Sequence, residues 1–473
     1  MTASISNVVL VTVDSLRADA LDQAMPVAAG LADDGAVFER AFAHGNWTPF
    51  SFPSLLASRP VFADTGEIGV TGSPTLAAVL SKAGVATGGF NAANGFLTAH
   101  WGYDEGFDEF ESFVGDPSGR VGRFLAAHPT VAGWAGLAKS PFRRVAATLR
   151  GDPTDRPFAD ASRLTDVEDR ATAFLADAEE PFFLWVHYMD AHTPYVPAPR
   201  YLRAVSGSRL GTHRMLVAHA RTGLGRRVSD RTLADLRTLY RAAVRQVDAG
   251  IGRLLGALDD AGIRDETAVV VTGDHGEEFM EHGHLAHYPK LYDELIHVPL
   301  VVDVPGIDGT SVDHHAGLAD VPPTVCDLLG VEPADRWTGR SLLPAVHDDR
   351  PADEDRHEPI LSVTVRGEEV TAQPIPRSLS EGDLLVSARA DGWIYIENAA
   401  TGDRELYHRP SDPDQQCDRS RHPDAEAAAA IDRLRGPVRE HADLLAEARE
   451  DAGYGPGTAG DSVRTRLEAL GYR

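Results

Sequence analysis

The chain has 473 residues, 43% hydrophobic and 7% aromatic, enough to bury the core of one large domain with a smaller one attached. Its 71 acidic against 45 basic residues give a formal net charge of −26, which argues against nucleic acid as a partner. Two cysteines are too few for a disulfide framework, and no stretch reaches the ~20 apolar residues of a membrane span.

All but three of the basic residues are arginine; Lys82, Lys139 and Lys290 are the exceptions. Excess acid with scarce lysine suggests a high-salt cytosol, with codon bias as the alternative. The first apolar run, 8–13, is short and lacks a basic leader, so a cytoplasmic location is expected.

Residues 8–13 form an uninterrupted β-rich run suited to a parallel strand buried on both faces. Asp14 follows directly, where a carboxylate is either a helix cap or a metal ligand. Residues 46–60 read as a loop feeding a helix. The Thr48 hydroxyl at its start faces unpaired N–H groups, a favourable place for an anion or an alkoxide. The structural alternative makes Thr48 an N-cap with Pro49 at the first helical position, and both can hold together. A helix is predicted over 76–83. Residues 120–150 mix Arg120, Arg123, Lys139, Arg143, Arg144 and Arg150 with Trp134, Leu137 and Phe142; a cap over the site is preferred to a membrane-surface segment.

The run 182–186 is the next buried strand. His187 and His192 follow it, where imidazoles suit anionic oxygens or general acid work; His187 is read as a buried, hydrogen-bonded histidine. Residues 200–253 carry twelve arginines against three aspartates, and a helix is predicted over 233–258. That stretch is either a solvated face or a rim gathering anionic substrate. Strand 268–272 leads into Asp274, His275, Gly276, Glu277 and Glu278, then Glu281, His282 and His284, a density of carboxylates and imidazoles that can serve one cation. Strand 299–302 follows, and Cys326 is expected in the core.

From about residue 356 the pattern changes to short strands at 360–365, 384–388 and 392–397. A helix is predicted over 425–450 with a break at Gly436 and Pro437, then a linker at 453–460. The expected division is a catalytic domain over 1–355, a small antiparallel subdomain over 356–420 and a helical tail over 421–473. Strands alternating with helices imply a mostly parallel sheet covered on both faces, with ligands beyond the strands' carboxyl ends. Asp14, His187, His192, Asp274 and His275 all fall at that edge.

These segments occur in an order that resembles the sulfatase family of the alkaline-phosphatase superfamily. The matching stretches are VTVDSLRAD at 11–19, the loop at 47–60, FFLWVHYMDAHTPY at 182–195 and TGDHGE at 272–277. Lys290 with Tyr292, Asp293 and Glu294, VPL at 298–300, DVPPT at 320–324, GRSLLP at 339–344 and Glu405-Leu406-Tyr407 with Asp412-Pro413 complete the series. The resemblance implies an alkaline-phosphatase-like α/β fold and hydrolysis of a sulfate or phosphate ester on a small molecule, glycan or lipid. It implies a divalent cation held by Asp14, Asp274 and His275 with Thr48, among Mn, Zn, Mg or Ca; mixed oxygen and nitrogen ligands favour Mn or Zn. Thr48 takes the nucleophile's place, seven residues before Leu55. His192 and Lys290 are implied to contact the ester's anionic oxygens, with Asn91 or Asn94 and His282 or His284 as further substrate-binding residues.

The chain departs from that pattern in two places. Sulfatases carry a cysteine or serine, converted to formylglycine, where Thr48 stands, and paired aspartates where this chain has Asp14 and Ser15. A threonine nucleophile resembles the phosphodiesterase and phosphoglycerol-transferase relatives. Two other readings therefore stand beside the hydrolase: a phosphoglycerol- or phosphoethanolamine-type transferase, and a non-catalytic binder that keeps the metal site.

Overall fold

Alternate residues of the first strand feed two separate cores: Val9, Val11 and Val13 point to one face, Val8 and Leu10 to the other. All seven residues of this strand, β1 (Asn7–Val13), are buried, as a central parallel strand requires. The computed structural model describes residues 5–64, 66–114, 163–206, 228–307, 309–346, 358–367 and 375–451. The basic, aromatic stretch 120–150, the linker 453–460 and the part of the arginine-rich stretch at 207–227 lie outside the described residues.

The other strands of this half are β2 (Ala36–Phe42), β3 (Ala86–Asn91), β4 (Glu109–Glu111), β5 (Phe182–Tyr188), β6 (Thr267–Gly273), β7 (Glu278–Phe279), β8 (Leu285–Ala286), β9 (His297–Val298), β10 (Leu300–Asp303) and β11 (Thr310–Gly317). The main sheet runs β11-β2-β10-β6-β1-β5-β3-β4, with β9 paired to β2. It is mostly parallel; β10 is antiparallel to both its neighbours. β1 lies between β5 and β6, and the chain leaves it first toward β2 on one side, then toward β3 on the other. That reversal is where a doubly wound sheet opens a crevice at its carboxyl edge.

Helices cover both faces. Leu164–Asp177 and Asp230–Ala261 pack on one. Thr48–Ala57, Leu76–Lys82 and Val321–Leu328, which carries the buried Cys326, pack on the other. The long helix Asp230–Ala261 starts where the Ser229 side chain accepts from the Thr232 amide, and ends at Gly262, whose φ of 74° is left-handed. Each Val, Leu or Phe buried in these cores contributes roughly 1.5–3 kcal/mol.

The C-terminal part is a separate antiparallel sheet of β12 (Ile360–Arg366), β13 (Asp383–Ala390), β14 (Trp393–Asn398) and β15 (Arg404–His408), in that order. The helix Ala425–Asp451 does not break at Gly436-Pro437. The proline is tolerated because it removes only the bond to the carbonyl of Arg433, on the exposed side, while Leu434 and Val438 stay buried. This helix shares one core with Val386, Ala388 and Tyr395 of the sheet, so a boundary at residue 420 divides a single packed unit. Trp47 and Phe50, at the start of the Thr48 helix, belong to the same core.

Candidate active site

Register delivers the first two acidic residues. Val13 of β1 pairs with Tyr188 of β5 and with Gly273 of β6, so the residues after these strands emerge side by side. The Asp14 amide donates to the Tyr188 carbonyl at 2.8 Å, and the Asp274 amide to the Val13 carbonyl at 3.2 Å. The chain then turns through Ser15, whose φ is 59°. The Ser15 and His275 amides both donate to Asp274 Oδ1, at 3.0 and 2.8 Å. Gly273 is needed there, because a Cβ would lie 2.5 Å from the Leu16 carbonyl oxygen.

Asp14, Asp274 and His275 each place a ligand atom within 4.8 Å of the others, all of them buried. His275 Nδ1 donates to the Gly276 carbonyl at 2.8 Å, which leaves the Nε2 lone pair free. Burial, and next the neighbouring His287, lowers the His275 pKa to about 3, so the ring is neutral. Its Nε2 is 3.7 Å from Asp14 Oδ1 and from Asp274 Oδ2. Among the described residues, neither His275 Nε2 nor Asp274 Oδ2 has a hydrogen-bond partner.

The two carboxylates are pushed apart in acidity. Burial alone would raise Asp14, but the imidazoles of His192 and His187 hold it well below the usual range. Burial, and then the charge of Asp14, drives Asp274 well above it. Two buried carboxylates and a neutral imidazole with an open lone pair fit a divalent cation, whose charge would offset that repulsion.

Thr48 is the first residue of its helix rather than the N-cap; Trp47 occupies the cap with no side-chain bond, and Pro49 comes second. The threonine side chain is therefore not engaged in capping. Its Oγ1 donates to Asp14 Oδ2 at 3.2 Å. Asn94 Nδ2 donates to the same Asp14 oxygen at 3.0 Å and lies 3.4 Å from Thr48 Oγ1. Asn91 stands behind it: its Nδ2 donates to the Leu97 carbonyl, and its Oδ1 accepts from the Asn94 amide. Of the two asparagines, only Asn94 reaches the site.

His187, expected as a satisfied core histidine, is buried and meets Thr12 Oγ1 through Nδ1 at 3.0 Å. Its other nitrogen, however, lies 3.7 Å from Asp14 Oδ2. The His192 ring packs at 4.9 Å against His287, tilted by 52°, and His287 in turn lies 5.0 Å from His275. His287 Nδ1 is 3.6 Å from Glu277 Oε1. Burial pushes the Glu277 carboxyl up to about 8, against the nearby His192 and Tyr195. Sequence reasoning missed His287. The hairpin β7–β8 returns it to the site, and two-residue strands leave no periodic signal.

Lys290, His282 and His284 gather elsewhere, around Glu278. Lys290 Nζ donates to Glu278 Oε2 at 3.1 Å and to the His282 carbonyl at 2.5 Å. His282 is held by Glu294 Oε1 at 2.6 Å and stacks on Tyr292 at 3.6 Å. The His284 amide donates to Glu278 Oε1 at 2.8 Å. Among the described residues, the bonds of these three run to Glu278, Glu294, the Gln416 side chain and the carbonyls of His282 and Gln415 rather than to Asp14, Thr48, Asp274 or His275.

Residues 6–331 match the family model described as Sulfatase. Curated relatives include the multifunctional alkaline phosphatase superfamily protein PehA of Trinickia caryophylli, 27% identical over 234 residues, which cover 42% of this chain and 45% of that protein. Arylsulfatase K of Bos taurus is 28% identical over 193 residues, covering 40% of this chain and 34% of its own length. The match thus spans less than half the length of these relatives. Two solved structures share the fold at a TM-score of 0.68 each. The phosphonate monoester hydrolase of Agrobacterium radiobacter is 20% identical, over 94% of this chain and 96% of its own. A protein solved with its substrate D-glucosamine-2-N,6-O-disulfate is 17% identical, over 94% and 98%. No helix among the described residues is long and apolar enough to cross a membrane.

Proposed function

The chain belongs to the sulfatase family, and on that premise we propose that it is a metal-dependent hydrolase of sulfate or phosphate esters with Thr48 as nucleophile. The observation that supports this reading best is one arrangement. Thr48 Oγ1 rests on Asp14, beside the unpartnered Asp274 Oδ2 and His275 Nε2. Asp14, Asp274, His275 and Thr48 would hold the cation, Mn²⁺ or Zn²⁺ by their mixed donor set. A bound cation supplies positive charge that makes the hydroxyl easier to ionise and offsets charge on the ester oxygens.

The chain's own residues carry the rest. Asp14 Oδ2 accepts the Thr48 proton's hydrogen bond and aligns the oxygen for attack. Asn94 Nδ2 holds the same carboxylate in place. As Thr48 Oγ1 bonds to the sulfur or phosphorus its proton passes to Asp14 Oδ2, and the ester oxygen leaves with a proton from His192. Water then attacks the same centre, giving a proton back to His192, and the Thr48 oxygen leaves with the proton held on Asp14. A threonine cannot be oxidised to the aldehyde used by other members of the family, so direct attack at phosphorus is preferred over sulfur. The relatives named for arylsulfate and phosphonate ester cleavage suggest the assay panel: aryl sulfates, phosphonate monoesters, phosphate monoesters and diesters, each with Mn²⁺, Zn²⁺, Mg²⁺ and Ca²⁺.

The test is intact-protein mass after rapid quench with a slow substrate. A sulfate- or phosphate-sized adduct mapped to Thr48 is expected. Turnover without an adduct, retained in Thr48→Ala, would overturn the nucleophile assignment.

A further inference from the structure

Arg237 and Arg241 lie one turn apart on the helix Asp230–Ala261 and so share a face. With Arg17, Asp19, Phe279 and Glu281 they line a cavity of ≈ 380 Å³. Three guanidinium groups thus meet two carboxylates, in a chain of net charge −26. Both carboxylates are already engaged. Arg17 grips Asp19 through Nε at 2.9 Å and Nη2 at 3.0 Å. Glu281 Oε1 is shared by Arg17 at 3.0 Å and Arg237 at 3.1 Å. Among the described residues Arg241 is left over: its buried Nε has no hydrogen-bond partner there.

A buried N–H without an acceptor is costly, and a guanidinium fork matches the geometry of an oxyanion. We propose that this cavity is a second anion site, apart from the metal centre, where Arg241 and Arg237 receive an oxyanion. The occupant is either a free inorganic anion or a second anionic group on a larger molecule; sulfate, phosphate and carboxylate share the required chemistry.

The cavity wall is bonded to the metal centre. The Tyr240 hydroxyl, from the same helix turn, donates to the Ser15 carbonyl at 2.9 Å and accepts from the Arg17 amide at 2.9 Å. Ser15 in turn holds Asp14 through its hydroxyl and Asp274 through its amide, each at 3.0 Å. Arg17 Nη1 also donates to the Glu277 carbonyl at 2.8 Å. Tyr240, in the cavity wall, thus stands two hydrogen-bonded steps from the metal-binding carboxylates.

The experiment is equilibrium dialysis of the metal-loaded full chain against radiolabelled inorganic phosphate. Arg241→Gln is expected to bind one phosphate fewer per chain than the wild type, or to bind it at least tenfold more weakly. Arg241→Lys, which keeps the charge and loses the fork, should fall between the two, and thermal melts confirm that each variant is folded. Equal stoichiometry and affinity in wild type and Arg241→Gln would overturn the site. A second arm separates the sources, using KM for a doubly anionic substrate divided by KM for its singly anionic analogue. A tenfold rise of that ratio in Arg241→Gln identifies a second group on the substrate; an unchanged ratio with the phosphate lost identifies a free anion. Phosphate stoichiometry needs no turnover, so failure of the hydrolase reading leaves this test intact.

Discussion

Two groups of charged residues draw members from the segment after strand β6, and they differ in what their polar atoms face. Around Asp14, the oxygen Asp274 Oδ2 and the nitrogens His275 Nε2 and His187 Nε2 are buried without hydrogen-bond partners among the described residues. Around Glu278, the lysine, the carboxylates and the imidazole of His282 pair with one another. Both groups are rich in histidine and acid, so residue type does not separate them. Buried polar atoms in a folded protein find partners, so a group that leaves several open toward one point is arranged for something external. A group that closes on itself holds the fold.

The contrast breaks first at Thr48. Thr48→Ala should lower kcat/KM on the best substrate of the panel by at least ~10³-fold, about 4 kcal/mol of barrier. Its melting temperature should barely move, since the side chain caps nothing. Thr48→Ser should recover part of the activity. An alanine variant with wild-type kcat/KM would place Thr48 with the structural group.

Lys290 tests the other side. Lys290→Met leaves Glu278, which is fully buried, without its counter-charge, and removal of one partner from such a pair costs about 3 kcal/mol or more. Urea denaturation measures it. A stability loss below about 1 kcal/mol, together with a large rise in KM, would return Lys290 to contact with the substrate.

Metal removal should come next in size. A chelator should destabilise the wild type by about 2.7 kcal/mol when the cation had stood at a hundred times its Kd. Asp274→Asn should abolish that shift. An undiminished chelator effect in the variant would put the cation elsewhere.

The smallest effect expected is the pH dependence of His282. Burial opposes its protonation, but Glu294 and the Gln415 carbonyl raise its pKa above the usual value. A raised folded-state pKa contributes stability that is complete below the unfolded value of about 6.5 and disappears as pH rises through the folded one. His282→Gln should flatten the stability profile across that window. A profile identical to the wild type's would remove the Glu294 pair from the forces holding this region.

Much of the fold was legible in advance. Runs at 8–13, 182–186 and 268–272 lie within the strands observed, because burial on both faces demands unbroken apolar sequence. The antiparallel subdomain was equally plain. Its helix was not: Gly436-Pro437 reads locally as a break, and packing of Leu434 and Val438 on the sheet overrides it. In the site, the grouping of Asp14, Asp274 and His275 was readable from strand ends, whereas the difference between Asn91 and Asn94 was not. Three residues separate them, and only the loop's path decides which amide turns to Asp14.

The sequence by itself determined the strands, their order of chemistry-bearing ends and the proximity of Asp14 to Asp274. Parallel strands in register carry whatever follows them to a common edge, so one-dimensional position suffices there. Only the tertiary structure decided that Lys290 closes on Glu278, that His287 returns beside His275, and that Arg241 Nε is left unpaired while Arg17 and Arg237 share Glu281. Those outcomes depend on pairings across loops and between elements far apart in the chain, and such contacts follow no local period.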